Sequence, residues 1–178
     1  MAVASIVILG VFGIGGAAAA APGPPAGALP KAPSVKLKDL EGRAVPIDYK
    51  AHKLTLVNFW ATWCVPCREE MPQIARIVEA NKARGLQAFG IALESGKPDE
   101  VKRFLKQNPD IRVNYPILIG DDEVVVKFSG VEVVPTTFLI DSSGAIVKRY
   151  EGVTSDFFDR VGRDIRAILQ PAADAATP

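Results

Sequence analysis

The 178-residue chain balances 21 Lys and Arg against 20 Asp and Glu, a net charge of +1 at pH 7, and so offers no electrostatic footprint for nucleic acid. That length suits one domain with a sizeable core, although an apolar N-terminus inflates the 48% hydrophobic content. With two Cys and one His, a single chain cannot fill a four-ligand zinc site.

No charged side chain precedes Lys31, and Ala2 to Ala21 is an unbroken run of small and apolar residues plus one Ser. Residues 1–21 read as a signal peptide or a membrane anchor. Ala17 to Ala21 would suit cleavage, and a helix of that length, about 30 Å, would span a bilayer; the usual basic residues ahead of it are missing. Residues 22–34, rich in Pro, Gly and Ala, read as a semi-rigid linker. The domain is expected over 35–170, with a disordered tail over 171–178. Export puts the protein in the periplasm or on the extracytoplasmic face, anchored or secreted, where disulfides persist.

Within the domain, Val35–Leu40 and Ala44–Ile47 flank Glu41-Gly42 as a β-hairpin. Leu54–Trp60 is almost wholly apolar, as a central strand covered on both faces should be. From Val65 to Arg84, Met71, Ile74, Ile77 and Val78 make one helical stripe closed by Gly85. Leu86–Leu93 reads as a second buried strand and Pro98–Asn108 as a short helix, with Val101, Phe104 and Leu105 on one face. Tyr115–Ile119 is the next strand, and Asp121–Phe128 a helix in spite of the β-branched run Val124 to Val126. Thr136–Ile140 and Ala145–Tyr150 form a hairpin across Asp141-Ser142-Ser143-Gly144. Thr154 is expected to cap a last helix carrying Phe157, Phe158, Val161, Ile165, Ile168 and Leu169. Strands alternating with helices predict an α/β fold, a mixed sheet sandwiched by helices.

The chemistry lies where the first buried strand gives way to a helix, in Trp63-Cys64-Val65-Pro66-Cys67. Two thiols two residues apart can close a small disulfide ring and open it again. A helix N-terminus has unpaired N–H groups and the positive end of the macrodipole, which favour a thiolate, the attacking species in exchange. Cys64 at the helix mouth is therefore the expected nucleophile, and Cys67, one turn in, the more buried resolving thiol. Pro66 fits a first turn, where its missing N–H has no partner to lose, and Trp63 is expected to cover the pair. A c-type haem attachment would need His where Arg68 stands.

Phe59-Trp60-Ala61-Thr62-Trp63-Cys64-Val65-Pro66-Cys67, with Val134-Pro135-Thr136-Thr137-Phe138 about seventy residues further on, resembles the thioredoxin superfamily. The Pro98–Asn108 insert, Glu69-Glu70-Met71-Pro72 and the N-terminal run make it most similar to the TlpA/ResA/CcmG-like branch. That resemblance implies a thioredoxin-like fold with an N-terminal hairpin and one inserted helix. It implies an extracytoplasmic thiol:disulfide oxidoreductase that reduces protein disulfides, in cytochrome c maturation or oxidase copper-site assembly. No cofactor or metal is implied beyond the redox-active Cys64–Cys67 pair. Implied partners are protein thiols and disulfides, such as apocytochrome c or copper-site assembly proteins, a membrane thiol reductant and, through an uncleaved N-terminus, the membrane.

By the same resemblance Pro135 is cis, and Val134, Pro135 and Thr136, with Trp63 and Pro66, contact substrate, Val134 offering backbone hydrogen bonds. Many thioredoxins carry a buried Asp six residues before the first Cys; here Asn58 cannot take a proton. Glu70 matches a glutamate of the ResA-like branch and is the candidate third catalytic group, against the alternative of a solvated helix charge. His52 reads as a surface loop residue. Two other functions compete: a Cu(I)-binding metallochaperone, since two soft thiolates suffice, and a peroxiredoxin-type peroxidase, which would want Thr where Ala61 stands.

Overall fold

The structure is a computed structural model that describes residues 30–170. The expected signal or anchor, most of the expected linker and the tail lie outside the described residues. Among those described, no helix is long and apolar enough to cross a membrane.

Seven strands form one sheet in the order β2-β1-β5-β4-β3-β6-β7, numbered along the chain as Lys36–Asp39, Ala44–Pro46, Leu54–Trp60, Leu86–Ala92, Ile117–Ile119, Thr136–Asp141 and Ile146–Glu151. The sheet is mixed: β3 pairs parallel with β4 and antiparallel with β6. Among the described residues four α-helices flank it: α1 Val65–Asn81, α2 Pro98–Gln107, α3 Asp122–Lys127 and α4 Phe157–Leu169.

All seven residues of β3 are buried, and the strand's period of two sorts them into two cores. Leu54, Leu56 and Trp60 face α1 and α4 with Met71, Ile74, Val161 and Ile165. Val57 and Phe59 face the other side, with Val124 of α3, Phe128 and Phe138. There Phe59 lies 5.0 Å from Phe128 and 5.8 Å from Phe138 between ring centroids, both edge-to-face, an arrangement worth about 0.5–1.5 kcal/mol per pair beyond area burial. The short helix α3 forms over the β-branched run because Asp121 accepts a hydrogen bond from the Val124 N–H and Val124 is buried, so cap and packing outweigh propensity. The helix run from Val65 ends as expected at Gly85, whose φ of 101° is left-handed.

The last residues of the expected linker pair with the turn before β7: Pro30 O accepts from the Ile146 N–H and Ala32 N–H donates to Gly144 O, both at 2.8 Å. Thr154 is not the side-chain cap of α4. Asp156 holds the N-cap position without a side-chain bond to the helix, and Thr154 Oγ1 is spent on Asp156 Oδ1 at 2.6 Å. The strand expected over Tyr115–Ile119 is shorter, Ile117–Ile119, because Pro116 has no N–H for the ladder; its carbonyl still accepts from Gly90 N–H at 2.9 Å.

Candidate active site

The central strand β3 ends at Trp60 and the chain turns through Ala61–Trp63 into α1. Cys64 is the N-cap of α1, and Cys67 N–H donates to its Sγ at 3.2 Å. The two cysteines form a disulfide with Cα atoms 5.3 Å apart. Cys67 is fully buried and Cys64 is 4% exposed, so Cys64 keeps the only access to solvent that the pair has. Pro66 sits exposed in the first turn.

Trp63 stands out from the surface, 60% exposed, rather than covering the pair. The cover comes from the loop before β6, where Val134 O lies 3.6 Å from Cys64 Sγ. The Val134–Pro135 bond is cis. Thr136 is fully buried and its hydroxyl donates to Val133 O at 2.7 Å, so its side chain braces this loop and is not presented to a partner. Beside Val134 and Trp63 runs a groove of about 630 Å³ whose walls include Val131, Glu132, Leu93, Glu94 and Asp121. Glu94 to Gly96 and Gly120 to Asp122, which form its far side, carry no signal in the sequence. Only the order of the strands brings the loops after β4 and β5 alongside the disulfide.

Glu70 lies on the next turn of α1 and is 1% exposed, so it is not a solvated helix charge. Its Oε1 accepts from Thr137 Oγ1 at 3.1 Å and from Asn58 Nδ2 at 3.5 Å, while Asn58 Nδ2 also donates to Thr137 Oγ1 at 3.0 Å. Burial pushes the carboxyl up from 4.5 to about 8, although the bonds from Thr137 and Asn58 pull the other way. Asn58 therefore serves as a buried donor to the glutamate. Thr137 escaped sequence reasoning; its pairing with Asn58 across β3 and β6 is what puts it on the α1 face. His52 is exposed and lies in the loop before β3.

Residues 29–149 match the model of the AhpC/TSA family. The chain belongs to that family. Within it the chain is 36% identical over 124 residues to the thiol-disulfide oxidoreductase ResA of Bacillus thuringiensis subsp. konkukian, covering 68% of each chain. To ResA of Bacillus subtilis it is 31% identical over 125 residues, covering 70% of this chain and 68% of the relative. A crystal structure of a thiol:disulfide interchange protein of the thioredoxin family from Chlorobium tepidum superposes with a TM-score of 0.66 at 28% identity, over 79% of this chain and 97% of that one. The fold is thioredoxin-like, and the chain is a ResA-like thiol–disulfide oxidoreductase. The peroxidase alternative gains no Thr from the geometry: Ala61 occupies that position and is fully buried.

Proposed function

We propose that the chain works outside the cytoplasm as a reductant of protein disulfides, serving cytochrome c maturation or the assembly of an oxidase copper site. The observation that carries this reading is the buried Glu70 carboxyl one helical turn beyond Cys67, set behind a disulfide whose only accessible sulfur is at a helix N-terminus. In the reduced protein, Cys64 thiolate attacks one sulfur of a partner's disulfide, and the partner's other sulfur leaves as a thiolate. The partner lies along the groove beside Trp63 and Val134, where an extended backbone would meet the peptide groups ahead of Pro135. Cys67 then loses its proton to the Glu70 carboxylate and attacks Cys64 Sγ, closing the Cys64–Cys67 disulfide and releasing the partner's second sulfur. Two electrons pass from the protein to the partner, and a membrane thiol reductant restores the pair. A base titrating near the working pH suits the resolving step, and a carboxyl raised to about 8 meets that requirement.

The test is made in cells. Thiol trapping is expected to find Cys64 and Cys67 mostly reduced, and a Cys64→Ser, Cys67→Ser double variant is expected to lower covalent haem in c-type cytochromes or copper in the oxidase. A pair found oxidised at steady state, or a double variant with both products at parental level, refutes the reading.

A further inference from the structure

Behind Glu70 the buried layer holds four polar atoms with no hydrogen-bond partner among the described residues: Asn58 Oδ1, Trp60 Nε1, Glu70 Oε2 and Tyr115 OH. They share one neighbourhood. Asn58 and Trp60 are two apart on β3 and so project to the same face. Asn58 stands opposite Gly90 in the β3–β4 register. A Cβ placed on Gly90 would lie 3.2 Å from both Trp60 Nε1 and the Tyr115 ring. Asn58 Nδ2 reaches Glu70 at 3.5 Å. Each orphan left dry carries a desolvation penalty, and native interiors rarely leave such groups unpaired.

Their chemistry is complementary to a single molecule. Once Glu70 is ionised, its Oε2 and Asn58 Oδ1 accept, the Trp60 indole N–H donates, and the Tyr115 hydroxyl can donate. A water has two protons and two lone pairs, and buried waters characteristically bond about three otherwise unsatisfied groups.

We propose that this layer is a built site for one buried water, which donates to Glu70 and Asn58 and accepts from Trp60 and Tyr115, making Tyr115 a positioning residue for Glu70. Its role in the reaction rests on the reading of Glu70 as the resolving base. The Tyr115 hydroxyl orients the water so that both of its protons point at acceptors, and this hydrogen bonding favours the ionised carboxylate. Tyr115 is the titratable group across the layer, near enough for the Glu70 charge to act on its phenol. The phenol stays protonated, because burial and then the Glu70 charge push its pKa upward.

Two measurements test the proposal. A high-resolution crystal structure of the protein is expected to show a water within about 3.2 Å of at least three of the four atoms; an unhydrated layer, or direct pairing among the four, overturns it. Tyr115→Phe removes only the hydroxyl and is expected to move the Glu70-dependent limb of the pH–rate profile for mixed-disulfide resolution upward by about one unit. A water seen in the crystal together with an unmoved limb overturns the positioning role of Tyr115. Glu70→Gln separates this failure from that of the underlying reading: if it abolishes the limb, Glu70 is still the base, and if it leaves the limb in place, the base assignment itself fails.

Discussion

Glu70→Gln is expected to make the protein slower and more stable at once. The oxidised protein buries a carboxyl whose pKa is raised from 4.5 to about 8. In the unfolded chain that carboxyl ionises above its ordinary value, whereas in the folded chain it stays protonated until about pH 8. The contribution of the neutral form is therefore fully present below pH 4.5 and is lost as pH rises through about 8. Each pH unit in that window removes about 1.4 kcal/mol, so by pH 7 the parent has lost about 3 kcal/mol that a neutral glutamine does not lose. Gln keeps a carbonyl oxygen for Thr137 and Asn58, so the network around Oε1 survives. Urea denaturation of both oxidised proteins at pH 5, 7 and 8 is the assay, with the difference between them as the readout, because the other titrating groups cancel. The difference is expected to grow with pH in favour of the variant, while its reaction with disulfide substrates near neutral pH slows by about ten- to a hundredfold. Parallel stability curves from pH 5 to 8 would show that Glu70 is not held neutral by the fold.

Two further outcomes are expected. Gly90→Ala puts a Cβ 2.6 Å from Ile117 Cδ1 and 3.2 Å from Trp60 Nε1, and this overpacking is expected to lower stability by about 1–3 kcal/mol in chemical denaturation; a neutral result would mean that this layer repacks freely. Trp63→Ala removes the exposed ring from the groove wall and is expected to raise KM for a protein disulfide several-fold while leaving the reaction with a small aromatic disulfide unchanged. Equal losses on both substrates would place Trp63 in the chemistry instead of in partner binding.

The sequence carried the elements and the cysteine pair well because both are local signals. A seven-residue apolar run, a helical stripe and two thiols at a helix mouth can each be read without knowing the neighbours. Even α3 was expected against its β-branched composition, and in the fold Asp121 caps it. What escaped depends on register and strand order. Thr137 reaches Glu70 only because β6 pairs antiparallel with β3 opposite Asn58, and Tyr115 joins the same layer only because β5 lies beside β4. Asn58 reads in the sequence as a missing base; in the fold it is a donor to the buried Glu70 carboxyl. Trp63 shows the opposite limit: its position beside Cys64 suggests a cover, but the direction of a loop side chain is set by the tertiary fold, and the cis-proline loop occupies that space instead.

The most direct test of the account traps the attacking sulfur. Cys67→Ser and Cys64→Ser variants, each reduced and mixed with a peptide disulfide at neutral pH, are followed by mass spectrometry. The account predicts that Cys67→Ser rapidly accumulates a stable mixed disulfide through Cys64, and that Cys64→Ser reacts far more slowly because its remaining thiol is fully buried. Comparable or faster adduct formation through Cys67 would contradict it.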